Sequence, residues 1–118
     1  MLEEEIQSAI SENDLRNKEL LKAIKSKGVS VSDSFFAEHH FWASTQSDAS
    51  LLAIKIYGLG YRILVISAVK SDDGSNWWSV EAGLDRTALD AASHETTEKL
   101  VRIAAEFDSV YDGWGMSI

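Results

Sequence analysis

The stretch YRILVISAVKSDDGSNWWSVEA, Tyr61 to Ala82, decides how this chain folds. Its first nine residues, Tyr61 to Val69, form a near-continuous β-branched and apolar run, the pattern of a central strand covered on at least one face. Ser71-Asp72-Asp73-Gly74-Ser75-Asn76 then concentrates turn-forming side chains, and Trp77 to Ala82 resumes an alternation suited to a second strand. The spacing predicts a β-hairpin in the middle of the chain, and the remaining elements are placed by what flanks it.

Upstream, Ser34 to Ala43 (SFFAEHHFWA) is aromatic, β-favouring and free of strand breakers, so it reads as an earlier strand. Between it and the hairpin, Ser47-Asp48 is a capping signal. Leu51, Leu52, Ile54, Ile56 and Leu59 follow in a short helix that stops at Gly58-Leu59-Gly60. Downstream, Thr87 with Asp90 three residues on resembles a capping box. Leu89, Ser93, Thr96, Leu100, Ile103 and Phe107 then recur at helical spacing and predict one long helix. Val110 to Ile118 (VYDGWGMSI) reads as a final strand loosened by Gly113 and Gly115.

The order β, α, β, β, α, β is the split βαβ pattern of a ferredoxin-like sandwich, an α+β fold. Right-handed crossovers place both helices on one face of a four-stranded antiparallel sheet. A charged helical segment within residues 1–28 precedes this core, residues 34–118, in a single domain of 118 residues. Leu2, Ile6 and Ile10 give one apolar stripe; Leu20, Leu21 and Ile24 give another. Between them, the cap-forming Ser11-Glu12-Asn13-Asp14 predicts either two consecutive helices or one kinked helix. The second sheet face is then left for solvent, for the N-terminal helix or for a partner.

Composition narrows the function. The chain is 45% hydrophobic and 25% charged, as expected of an ordinary globular protein. Eleven Lys and Arg against 19 Asp and Glu give a net charge of −8, which disfavours direct contact with a phosphate backbone. Without cysteine there are no disulfides, thiol nucleophiles or Cys-type metal sites, which fits a reducing cytoplasm. No apolar run approaches the roughly 18 to 20 residues of a membrane span, and the acidic start lacks the basic region of a signal peptide.

Glu38-His39-His40 is the most conspicuous polar cluster, because His and Glu ligate metals and move protons. On a strand, however, adjacent side chains point to opposite faces, so only Glu38 and His40 share a side. His94 falls on a separate helix, and no metal-ligand spacing, nucleophile motif, phosphate loop or dinucleotide fingerprint occurs. Neither a catalytic site nor a cofactor or metal site is expected. By the same alternation, Trp77 and Trp78 face opposite sides of their strand, as do Phe41 and Trp42, so large aromatic area must meet the second sheet face.

Several of these residues together carry a likeness. Glu38-His39-His40, Leu59-Gly60-Tyr61, Ala105-Glu106-Phe107-Asp108 and Val110-Tyr111-Asp112-Gly113-Trp114-Gly115 stand in the order and approximate spacing of one family. From about Leu15 to Ile118 the chain resembles the bacterial regulator of ribonuclease E activity B (RraB-like) family. That resemblance implies a ferredoxin-type sandwich and a non-enzymatic protein that restrains an RNA-degrading enzyme, ribonuclease E, by protein contact. An acidic surface suits such a role, since it opposes basic regions of a nuclease and speeds encounter. Glu38, His40, Trp42, Tyr111, Asp112 and Trp114 are the candidate contact residues. Two other readings stay open at this point: an immunity protein that neutralises a nuclease toxin, and a small-ligand or metal-binding domain built on Glu38, His40 and the aromatic face.

Overall fold

The computed structural model describes residues 2–116. In chain order the elements are α1 (Glu3–Ser26), β1 (Ser34–Ala43), α2 (Gln46–Gly58), β2 (Arg62–Lys70), β3 (Asn76–Thr87), α3 (Ala88–Ala91), α4 (His94–Glu106) and β4 (Ser109–Met116). The strands form one antiparallel sheet in the order β2-β3-β1-β4, with α2 and α4 packed on one face. This is the ferredoxin-like arrangement expected from the element order.

Alternation along β1 sets the two faces. Ala37, His39, Phe41 and Ala43 are buried toward the helices, whereas Phe36, Glu38, His40 and Trp42 point the other way and are only partly covered. Phe41 packs with Val80, Leu52, Ile56, Leu100 and Tyr111 in the main core, and burying a side chain of its kind stabilises by about 1.5–3 kcal/mol.

α1 joins the same helical layer, and the sheet's other face stays open. Ile6 and Ile10 enter the main core, while Ile24 packs with Trp114 and Ala37 in a second cluster. Arg102 of α4 holds Glu3 through two hydrogen bonds of 3.0 and 2.9 Å, and His94 meets Asp14 at 2.8 Å.

α1 is also one uninterrupted helix, so the two consecutive helices offered as one reading of Ser11-Glu12-Asn13-Asp14 do not form. Its inward stripe runs Ile6, Ile10, Asn13, Asn17, Ile24, so two of its positions are asparagines. Both are satisfied: Asn13 donates to the Ala9 carbonyl at 2.9 Å and Asn17 donates to Thr97 Oγ1 at 3.0 Å. Asn17 Oδ1 also accepts from Trp114 Nε1 at 2.9 Å. The partners of Asn17 are tertiary and those of Asn13 lie within the helix, and both occupy the hydrogen bonding that would otherwise favour a cap.

Three further expectations change. The expected single helix from Leu89 is two, because Thr87 caps α3 by accepting from Asp90 N and Ser93 caps α4 by accepting from Thr96 N. Leu89 is consequently exposed, and Ala88 and Ala91 are buried in its place. β2, read as a central strand, lies at the sheet edge with Leu64, Ile66 and Val69 partly exposed. β3 continues past Ala82 to Thr87 because Gly83 carries no Cβ: one there would sit 2.6 Å from the Phe36 ring, which fills that space. Of the expected final strand, residues 117–118 lie outside the described residues.

β4 carries a further local irregularity. Against β1, His39 pairs with Trp114 and Phe41 with Tyr111, so β4 has one residue more than its partner between those pairs. Gly113 takes up the excess at φ 94°, a left-handed conformation costly for any side chain with a Cβ. The bulge lets Tyr111 and Trp114, three residues apart, both face the helices.

Candidate functional site

The sheet face away from the helices is ordered in bands. At the end near the β2–β3 turn, Val110 of β4, Trp42 of β1, Trp77 of β3 and Val69 of β2 line an open depression of about 360 Å³, with Ser71 at its edge. Register explains the convergence: Trp42 pairs with Val110 and Val69 with Trp77, and partners across an antiparallel pair share a face. Both indole N–H groups are tied back. Trp42 Nε1 donates to Asp112 Oδ2 at 3.1 Å, and Trp77 Nε1 donates to Ser75 Oγ at 3.1 Å.

Those tethers end in carboxylates. Ser75 Oγ donates to Asp73 Oδ1 at 2.6 Å, and Ser71 Oγ donates to the same oxygen. Hydrogen bonds from Ser71 and Ser75 hold the Asp73 carboxyl down at about 2, so it stays ionised. Asp112 also faces Arg16 of α1, whose guanidinium lies 3.4 Å from Oδ1 in a half-exposed pair. The next band holds His40 and Glu81, 3.2 Å apart, with Glu38 beyond them. At the far end the Arg62 guanidinium lies over the Phe36 ring, 5.9 Å from its centre.

The opposite face is closed around His39. The Arg86 guanidinium can only donate, and its Nη1 reaches His39 Nε2 at 3.2 Å and Tyr61 Oη at 2.9 Å. The imidazole proton therefore sits on Nδ1 and is donated to Tyr111 Oη at 2.8 Å. Burial, with Arg86 and then His40 nearby, pushes the His39 pKa down to about 3, and burial pushes the Tyr111 phenol well above its ordinary value. Arg86 itself loses by burial, but Tyr61 and Asp90 more than compensate and keep it charged. His39 is a neutral structural residue with both nitrogens engaged, not a free acid or base.

The six sequence-derived candidates therefore divide. Glu38, His40, Trp42 and Asp112 lie on or at the rim of the open face. Tyr111 and Trp114 are 3% and 7% exposed and turned toward the helices by the Gly113 bulge, so their side chains offer no contact surface. Sequence reasoning passed over Glu81, Val69 and Val110, which become neighbours only through strand register, and Arg86, whose role depends on His39 and Tyr61, both far from it in sequence. Among the described residues, no group of three His, Cys, Asp or Glu side chains converges as metal ligands. Among the same residues, no helix is long and apolar enough to cross a membrane.

The stretch of chain that builds both faces is similar to known proteins. The family model described as "Regulator of ribonuclease activity B" matches residues 15–116. A protein of that name from Photobacterium profundum is 26% identical over 109 residues, covering 90% of this chain and 81% of its own. One from Psychromonas ingrahamii is 26% identical over 110 residues, 93% of this chain and 91% of its own. Another from Pseudoalteromonas translucida is 32% identical over 82 residues, 66% of this chain and 70% of its own. With the match spanning both the buried network and the open face, the chain belongs to the regulator of ribonuclease activity B family.

Proposed function

We propose that this chain regulates a ribonuclease by binding it, without chemistry of its own. The observation that carries the reading is the uncovered sheet face, where Trp42 and Trp77 present apolar surface beside Asp112, Glu81 and Glu38. Aromatic surface of this kind, fixed in place and bordered by charge, suits a macromolecular partner. The most perturbed histidine supports a non-catalytic role, because His39 is consumed by its bonds to Arg86 and Tyr111.

Ribonuclease E is the target that the family resemblance implies, and the cytoplasm is the setting in which the two would meet. The net charge of −8 favours approach to basic regions of such an enzyme and disfavours competition for its RNA. Cleavage of a ribonuclease E substrate should slow in proportion to added protein, with a complex visible by size-exclusion chromatography. Unchanged rates and no complex would remove the target. Substrate turnover by the isolated chain, abolished by one substitution, would remove the non-enzymatic reading altogether.

A further inference from the structure

The depression on the open face has features that select its occupant. Each of the four strands gives it one apolar side chain, Val110, Trp42, Trp77 and Val69, so its walls belong to the sheet rather than to a loop. Both indoles are already held by their N–H groups, so a ligand finds them with little conformational freedom left to lose. What remains free on each ring is its π-face. The two tethers lead to Asp112 at one side and, through Ser75, to Asp73 at the other. An apolar floor thus lies between two carboxylates.

We propose that this depression docks a cationic segment of the protein partner that carries one aliphatic or aromatic anchor. The anchor seats against Trp42, Trp77, Val69 and Val110, and flanking lysines or arginines meet Asp73 and Asp112. The inference rests on the reading of the chain as a ribonuclease-binding protein and adds the chemistry of the bound segment. Charge complementarity decides among occupants. Nucleic acid also stacks on aromatic rings, but its phosphates would face the same two carboxylates. A second copy would bring its own net charge of −8 to the contact. A cationic segment gains cation–π contact with the indoles as well as charge pairing, and it competes with Arg16, which now sits 3.4 Å from Asp112.

Short synthetic peptides test this, with tryptophan fluorescence and calorimetry as readouts. One peptide carries a leucine flanked by arginines, a second has alanine for the leucine, and a third has glutamates for the arginines. The first should bind, and binding should weaken with salt. Each of the other two should bind at least about tenfold more weakly. The Trp77→Ser variant and the Asp73→Asn/Asp112→Asn double variant should lose the first peptide to a similar degree while each stays folded, with a cooperative urea transition. Equal binding of all three peptides, or full binding by both variants, would overturn the site.

The same variants separate this site from the proposed function. If wild type and both variants inhibit ribonuclease E equally, the function stands and the docking site falls. If wild type does not inhibit ribonuclease E, that target falls, and peptide binding alone judges the site. A dimer in sedimentation that Trp77→Ser dissociates would assign the face to a second copy and overturn the proposal. So would an RNA oligonucleotide whose binding Trp77→Ser abolishes.

Discussion

The two faces of the sheet are built from the same four strands and end in opposite states. Toward the helices, the buried side-chain polar atoms of the described residues are spent: His39 on Arg86 and Tyr111, Trp114 on Asn17, Asn17 on Thr97. Away from them, Trp42 and Trp77 satisfy their N–H groups locally and leave their rings uncovered. The motif Glu38-His39-His40 is cut by this division, with its middle residue structural and its outer two available. A family motif is thus not a site as such; pleating decides which of its members can meet anything outside the molecule.

Substitution separates the faces, and the largest effect belongs to the closed one. Phe41→Ala should cost about 3–5 kcal/mol in urea unfolding, because Phe41 is 1% exposed and its neighbours cannot all collapse into the void. A cost as small as that of an open-face change would break the distinction.

Acid should act next, through His39. Its pKa is about 3 in the folded chain against an ordinary 6.5, so the unfolded state binds the extra proton between those values. The contribution of His39 is therefore fully present above about pH 6.5 and should fall on acidification, by up to roughly 1.4 kcal/mol per pH unit, until about pH 3. Urea unfolding at a series of pH values should show this slope, and His39→Gln should flatten it. An unchanged slope in that variant would place the acid sensitivity elsewhere.

Gly113→Ala sharpens the comparison at its hinge. A Cβ there meets nothing closer than Asn13 Oδ1 at 3.7 Å, so the cost should come from φ 94° alone, about 1–2 kcal/mol. Tyr111 and Trp114 depend on that bulge for facing the same way, and near-ultraviolet circular dichroism should report any change in their packing. The smallest loss of stability, about 1 kcal/mol or less, is expected for Trp77→Ser on the open face. If Trp77→Ser instead destabilised as much as Phe41→Ala, the open face would be part of the core.

Much of the architecture was legible because strand and helix periods are local. The alternation in Ser34 to Ala43 already separated Phe41 from Trp42 and His39 from His40, and the structure keeps both separations. The misreadings share one cause. Ser11-Glu12-Asn13-Asp14 looked like a helix break or kink, Ser93 looked like one more turn of a stripe, and the second hairpin strand looked complete at Ala82. A specific partner explains each: the Ala9 carbonyl for Asn13, the Thr96 amide for Ser93, and the Phe36 ring against Gly83 for the longer strand. Tyr111 and Trp114 were candidates for contact because both stand in the family-like motif; a plain strand would put residues three apart on opposite faces, and the Gly113 bulge puts both inside.

By itself the amino-acid sequence determined the order of elements, the split βαβ topology, the acidic surface and the kinship to one family, since all of these are written in local periodicity, composition and short motifs. Only the tertiary structure decided that α1 joins the helical layer and leaves the second sheet face open. It alone also placed one side chain from each strand around the same depression. The reason is that strand register and helix docking are set by contacts between residues dozens of positions apart, which no local pattern encodes.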